Sequence, residues 1–213
     1  MFRTENALIL REVRFKESDR ILTALTADSG KLTLAAHGAL SKRSRMAAAT
    51  QQLTYAELTL FEKNGRSTVR EGVTREAFQG LRQEIERFAL GCYFAECLEQ
   101  YAGENQPEPA LMQLGLNCLY ALSEGLAPRE KIKAAFEVRL MAIEGYAPTE
   151  ERSVSLSAEG LQTMRYIVEA PAKKLLAFRI SEEEMKRLSV FAERWLLRCS
   201  ERSFPTLDYY RSL

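Results

Sequence analysis

QLTYAELTLFEKNGRSTVREGV, residues 52–73, alternates apolar and polar side chains on both sides of Asn64-Gly65. A period of two sends successive side chains to opposite faces of an extended chain. Asn-Gly tolerates the left-handed backbone pair that a tight two-residue hairpin turn demands. The stretch therefore predicts two antiparallel strands, Gln52–Phe61 and Arg66–Val73. Upstream, TENALILREVR (4–14) alternates in part and stops at the polar FKESD. ILTALTA (21–27) leads into a turn at Asp28-Ser29-Gly30, and KLTLAAHG (31–38) returns from it. Five short strands joined by turns predict a small barrel, whose closure removes exposed edges.

After Gly80 the apolar period becomes helical. Leu81–Ala102 places Ile85, Phe88, Ala89, Cys92, Ala95 and Leu98 near one face. Asn105–Pro109 breaks that pattern, Leu111–Gly125 is a second helix, and Pro128 opens a third that ends at Gly145 with Pro148 beyond. A polar stretch, Thr149–Ser157, precedes a helix at Ala158–Glu169. A last long helix is predicted from Ser181, as a cap, toward Arg202, with Glu182, Glu183 and Glu184 in its first turn. The expected fold is thus α+β, with a five-stranded barrel over residues 1–80 and a helical domain over 81–213.

The 213 residues are 46% hydrophobic and 28% charged, an ordinary globular composition with a net charge of only +1. That charge is unevenly divided. Residues 1–80 hold thirteen Lys or Arg against nine Asp or Glu, a net of +4, and the remainder has a net of −3. Lys31, Lys42, Arg43 and Arg45 lie in KLTLAAHGALSKRSR (31–45), and no acidic residue occurs between Asp28 and Glu57. Such a cationic loop suits a phosphate backbone, and the same residues also suit an ordinary solvated loop. Arg11, Arg14, Lys16 and Arg20 would extend the positive surface. Tyr55 and Phe61 are candidate stacking platforms or core residues.

Little points to catalysis. Ser29-Gly30-Lys31 lacks the glycine framework of a phosphate loop and the hydroxyl residue after its lysine. Glu182–Glu184 read as a helix-start charge cluster, and His37, the single histidine, has no neighbouring partner for a nucleophilic constellation. Cys92, Cys97, Cys118 and Cys199 form no CxxC pair, so reduced thiols rather than a metal site or disulfides are expected. No apolar run is long enough to span a bilayer, and no signal-peptide core is evident, which suggests a cytoplasmic protein.

ALILREVRFKESDRILTALTADSGKLTLAAHGALSKRSR (7–45) and FEVRLMAIEGYAP (136–148) resemble the RecO family of bacterial DNA repair and recombination mediators. The resemblance is carried by Glu17-Ser18-Asp19-Arg20, by Leu25-Thr26 before Gly30-Lys31, and by His37-Gly38 followed by Lys42-Arg43 and Ser44-Arg45. It implies an OB-fold barrel and a helical domain without enzymatic activity or cofactor. It further implies binding to single- and double-stranded DNA, annealing of complementary strands, and nucleoid association during repair. Cooperation with RecR and single-stranded DNA-binding protein in loading RecA is implied as well. Matching positions nominate Arg20, Lys31, Lys42, Arg43 and Arg45 as DNA-backbone contacts. Lys173, Lys174, Leu175, Phe178, Arg179 and Arg187 are nominated to receive the acidic, apolar C-terminal tail of single-stranded DNA-binding protein.

Two departures stand out. His37 occupies the place of a usual lysine, so one fixed charge is missing. Many relatives carry a four-cysteine zinc module after the GYAP element, whereas GYAPTEERSVSLSAEG (145–160) contains no cysteine. A shortened, metal-free segment is therefore expected around 146–157. The principal alternative function is a protein-interaction adaptor whose barrel binds DNA poorly; a hydrolase built from dispersed residues is a further one.

Overall fold

The structure, a computed structural model, describes residues 1–147 and 156–213. The expected metal-free segment around 146–157 thus lies mostly outside the described residues. Five strands close into a barrel in the order β1-β2-β3-β5-β4, where β1 is Phe2–Phe15, β2 Asp19–Thr26, β3 Gly30–Ala36, β4 Tyr55–Lys63 and β5 Arg66–Glu76. This order, with a short parallel β3–β5 seam at Leu34–Ser67 and Ala35–Thr68, is the OB-fold. β1 serves both neighbours: Phe2–Leu8 pairs with β4 and Ala7–Phe15 with β2. Asn64 and Gly65 have φ of 52° and 70°, the two left-handed residues that the tight β4–β5 turn requires.

Ala7, Ile9, Leu22, Ala24, Leu34, Leu58, Leu60 and Val69 fill the barrel. Leu8, Leu10 and Leu25 face outward yet are buried, because the helical domain packs over them. The run ALIL at 7–10 is consequently continuous rather than alternating: both faces of this part of β1 are covered. The barrel and the helices share this second core, so the boundary near residue 80 divides the chain but not its packing.

The helices are α1 Ile85–Tyr101, α2 Pro109–Ser123, α3 Arg129–Ile143, α4 Ala158–Glu169, α5 Glu182–Ser200 and α6 Pro205–Arg211. α1 lies at the centre, with Tyr93, Phe94 and Cys97 buried and the Phe94 ring stacked 4.1 Å from that of Phe136. Ile85, expected on the buried face, is instead 55% exposed. A 3-10 turn at Gln79–Arg82 replaces the expected first turn of this helix. α6 has no counterpart in the sequence reading; it begins at Pro205, and Phe204 and Leu207 bury beside α1.

Ser181 stands at the predicted start of α5, but its side chain does not cap that helix. Its amide and hydroxyl donate instead to the Glu159 carboxylate of α4, at 2.8 and 2.7 Å. The Ser157 amide in turn donates to Glu184 at 2.8 Å, so the two helix starts are tied together. Glu182 and Glu183 pair with Lys186 and Arg187, which gives the acidic cluster a structural use.

A polar network lies within the helical core. Lys133 contacts Glu137 at 2.7 Å and Glu193 at 2.8 Å, the Tyr93 hydroxyl donates to Glu137 at 2.8 Å, and Arg211 reaches Glu193 at 2.5 Å. Burial pushes the Glu137 carboxyl up to about 7 against the opposing pull of Lys133. The cysteines form no disulfide among the described residues, and burial raises Cys92 to about 11 and Cys118 to about 12, far from thiolate reactivity at neutral pH. Among the described residues no His, Cys, Asp and Glu side chains cluster as a metal site, and no helix is long and apolar enough to cross a membrane.

Candidate nucleic-acid interface

The β3–β4 connection, residues 37–54, closes one end of the barrel. Ala39 and Ala49 join the barrel core and Met46 packs against it. Gly72 on β5 leaves the room this needs, since a Cβ there would lie 2.9 Å from that of Ala49. Polar anchors hold both sides of the loop. At its start, Asp19 accepts from the Gly38 amide at 2.8 Å and contacts His37 Nδ1 at 2.8 Å. These bonds, the amide foremost, hold the Asp19 carboxyl below its usual range. The Leu40 amide donates to Ser18 O at 2.8 Å. On the returning side, Arg20 donates to Ala47 O and Thr50 Oγ1, both at 2.9 Å, and lies 3.4 Å from Glu12.

What projects between the anchors is Ser41–Arg45. Lys42, Arg43 and Arg45 are exposed, and none makes an ion pair with a described residue. Three fixed charges within four positions create a local positive field with no internal carboxylate to cancel it. The β1–β2 turn adjoins this loop through Ser18 and brings Phe15, 47% exposed, and Lys16, whose ammonium lies 5.4 Å from that ring. Glu17 stands in the same turn. Phe15 was not singled out in the sequence because it sits in the polar break; its exposure follows from the hairpin's reach beyond the barrel.

The five nominated contacts therefore separate. Arg20 is 8% exposed, and its guanidinium is occupied by the loop it anchors. Lys31 is also withdrawn from the exposed set: its ammonium donates to Glu99 O at 3.0 Å and its amide to Gly103 O at 2.8 Å. Both bonds fasten β3 to the helical domain. Gly30 permits that approach, having φ of 63° and only 2.1 Å between an added Cβ and Gln106 O. Arg11 is likewise engaged, at 2.8 Å from Glu99, whereas Arg14 remains exposed. Lys42, Arg43 and Arg45 alone of the nominated five share one free surface.

The residues nominated for a partner tail also divide. Leu175 and Phe178 are buried, and the Phe178 ring lies under Lys131 Nζ at 4.3 Å. Leu175 nevertheless forms part of the wall of an apolar groove of about 500 Å³ that includes Leu116, Tyr120 and Leu126, with Lys173 at its rim. Lys174 and Arg179 are exposed but do not line it. Arg187 lies on α5, paired with Glu183, outside this groove.

Comparison with known proteins bears on this architecture. Residues 1–78 match the family described as Recombination protein O N terminal, and residues 82–153 match Recombination protein O C terminal. A DNA repair protein RecO of Acetivibrio thermocellus is 27% identical over 240 residues, spanning 98% of this chain and 96% of its own. A namesake from Listeria monocytogenes is 32% identical over 145 residues, 68% of this chain and 56% of its own. One from Halalkalibacterium halodurans is 27% identical over 199 residues, covering 90% and 78%. With both halves matched in order and an OB barrel leading into helices, the chain belongs to the RecO family, whose role is in DNA repair and recombination.

Proposed function

We propose that the chain binds DNA through Lys42, Arg43 and Arg45 and brings complementary single strands together. It would thereby assist recombinase loading onto DNA covered by single-stranded DNA-binding protein. The observation that carries this reading is a cationic loop tip, without an ion pair to a described residue, fastened to a closed barrel by Asp19 and Arg20. Cations held on a rigid base neutralise phosphates without gripping base edges, which leaves those edges available for pairing. Annealing needs no bond-breaking centre. RecR and RecA enter as partners of this activity on the strength of family membership alone.

The decisive measurement is annealing of complementary oligonucleotides across a salt series, with the parent chain and a Lys42→Ala, Arg43→Ala, Arg45→Ala variant. The parent should speed annealing, and the variant should lose most of that gain while keeping its melting temperature. Equal acceleration by both would overturn the assignment of the loop.

The apolar groove supports a second contact. Leu116, Tyr120 and Leu126 suit the apolar side chains of a short peptide such as the tail of single-stranded DNA-binding protein, and Lys173, the one cation in a lining that also holds Glu76, suits its acidic group. Titration of that peptide against Lys173→Glu should show a several-fold weaker affinity. Unaltered binding would move the tail elsewhere and withdraw Lys173 from the site.

A further inference from the structure

The outer face of the barrel carries an aromatic pair that the fold does not use. Phe2 of β1 lies opposite Phe61 of β4, with ring centroids 4.9 Å apart, and Phe2 is 63% exposed. The barrel interior is filled from the other face of these strands, by Ala7, Leu58 and Leu60. Around the pair the outward neighbours are Thr4, Thr59 and Thr68. Arg70 is the extra residue of a β-bulge, since Thr59 pairs with Glu71 and Leu60 with Val69. The bulge aims its guanidinium over the Phe61 ring, 5.0 Å from the centroid.

We propose that Phe2, Phe61 and Arg70 form a stacking platform for an unpaired base of single-stranded DNA. The charge around the platform selects that occupant. Lys63 and Arg66 face each other across the β4–β5 turn, exposed and without an ion pair to a described residue. Like charges placed directly opposite repel, and a phosphate between them relieves that repulsion. Glu62 and Glu71 stand at the edge, fewer than the cations they adjoin. A duplex keeps its base faces stacked internally, so an aromatic and guanidinium surface flanked by phosphate-binding cations suits a single strand.

The inference rests on the DNA-binding reading above, but it assigns the two rings a different interaction: contact with bases, whose loss leaves the salt slope unchanged.

The test is fluorescence anisotropy of labelled oligo(dT) and of a blunt duplex of equal length, over several salt concentrations. The proteins are the parent, Phe2→Ala, Phe61→Leu and the triple loop variant. Phe61→Leu keeps apolar bulk and removes the ring; Phe2→Ala alters a side chain already largely in solvent. Each platform variant should bind oligo(dT) about tenfold more weakly, with an unchanged salt slope and unchanged duplex affinity. In Phe2→Trp, the added indole should be quenched on saturation with oligo(dT). Parental oligo(dT) affinity in both ring variants, or an unquenched Phe2→Trp at saturation, would overturn the platform. So would equal losses on oligo(dT) and duplex. If the triple variant keeps the parental slope while the ring variants lose oligo(dT), the loop assignment fails and the platform stands.

Discussion

Removing the three loop cations together offers a quantitative test, because the structure predicts both a loss of affinity and a change in its salt dependence. Lys42, Arg43 and Arg45 project from the loop tip, and none has a described ion-pair partner, so each is available to one phosphate. For a single strand, each neutralised phosphate contributes about −0.7 to the slope of log affinity against log salt, so loss of three contacts should flatten it by about 2. If the electrostatic contribution vanishes near 1 M salt, the same slope implies about a hundredfold weaker binding at 0.1 M. That is roughly 2.7 kcal/mol. The fold should be unaffected, because the anchoring bonds come from Asp19, Ser18 and Arg20. Anisotropy titrations with oligo(dT) between 50 and 400 mM salt, alongside thermal melting, provide the assay. A slope unchanged within half a unit, in a variant that melts like the parent, would refute the reasoning.

Three other expectations follow from groups that the structure places in its framework. Arg20→Ala should cost about 2–4 kcal/mol in urea unfolding, since Ala47 O and Thr50 Oγ1 each lose a donor at 2.9 Å and Glu12 its partner; parental stability with a flatter salt slope would return Arg20 to the DNA-contact set. Gly30→Ala forces a side chain into a left-handed position against backbone carbonyls of residues 103 and 106, and should destabilise by more than about 2 kcal/mol, with easier proteolysis at the 103–106 loop. An intact junction in that variant would show that the loop can withdraw without penalty. For Glu137, the folded chain retains a proton up to about pH 7 that the unfolded chain releases near 4.5. Its contribution is therefore fully present below 4.5 and is lost as pH rises toward 7, on the order of 1 kcal/mol per pH unit within that window. Glu137→Gln should remove that part of the pH dependence of melting, and an identical profile in the variant would place the titration elsewhere.

Much of the architecture was legible from local chemistry. The period-two run on both sides of Asn64-Gly65 yields β4 and β5 because alternation and turn chemistry act over a few residues. The helices at 109–123, 129–143 and 158–169 follow equally from their period and their breakers. The less accurate parts depend on distant segments. In α1 five of the six expected face residues are buried or pack against the core and only Ile85 lies in solvent; Leu90, Tyr93, Phe94 and Cys97 are buried besides, because the helix is enclosed on several sides and no single stripe marks its contacts. α6 was missed because seven residues give too little periodicity; Phe204 and Leu207 acquire their significance only against α1.

The candidate site divides along the same line. The chain by itself determined a five-stranded barrel, the helical body and the position of an unbalanced cationic loop, because strand period, turn residues and local charge are all short-range properties; the OB topology came only from the family resemblance. Tertiary structure alone decided which cations are free. Asp19 and Arg20 anchor the loop and Lys31 fastens the barrel to α1, while Lys42, Arg43 and Arg45 remain at the tip. The same level of structure sets Arg70 over Phe61 through a bulge. A cation has the same formula in an ion pair, at a backbone carbonyl or in water; which of these it occupies depends on partners brought near by the closed fold.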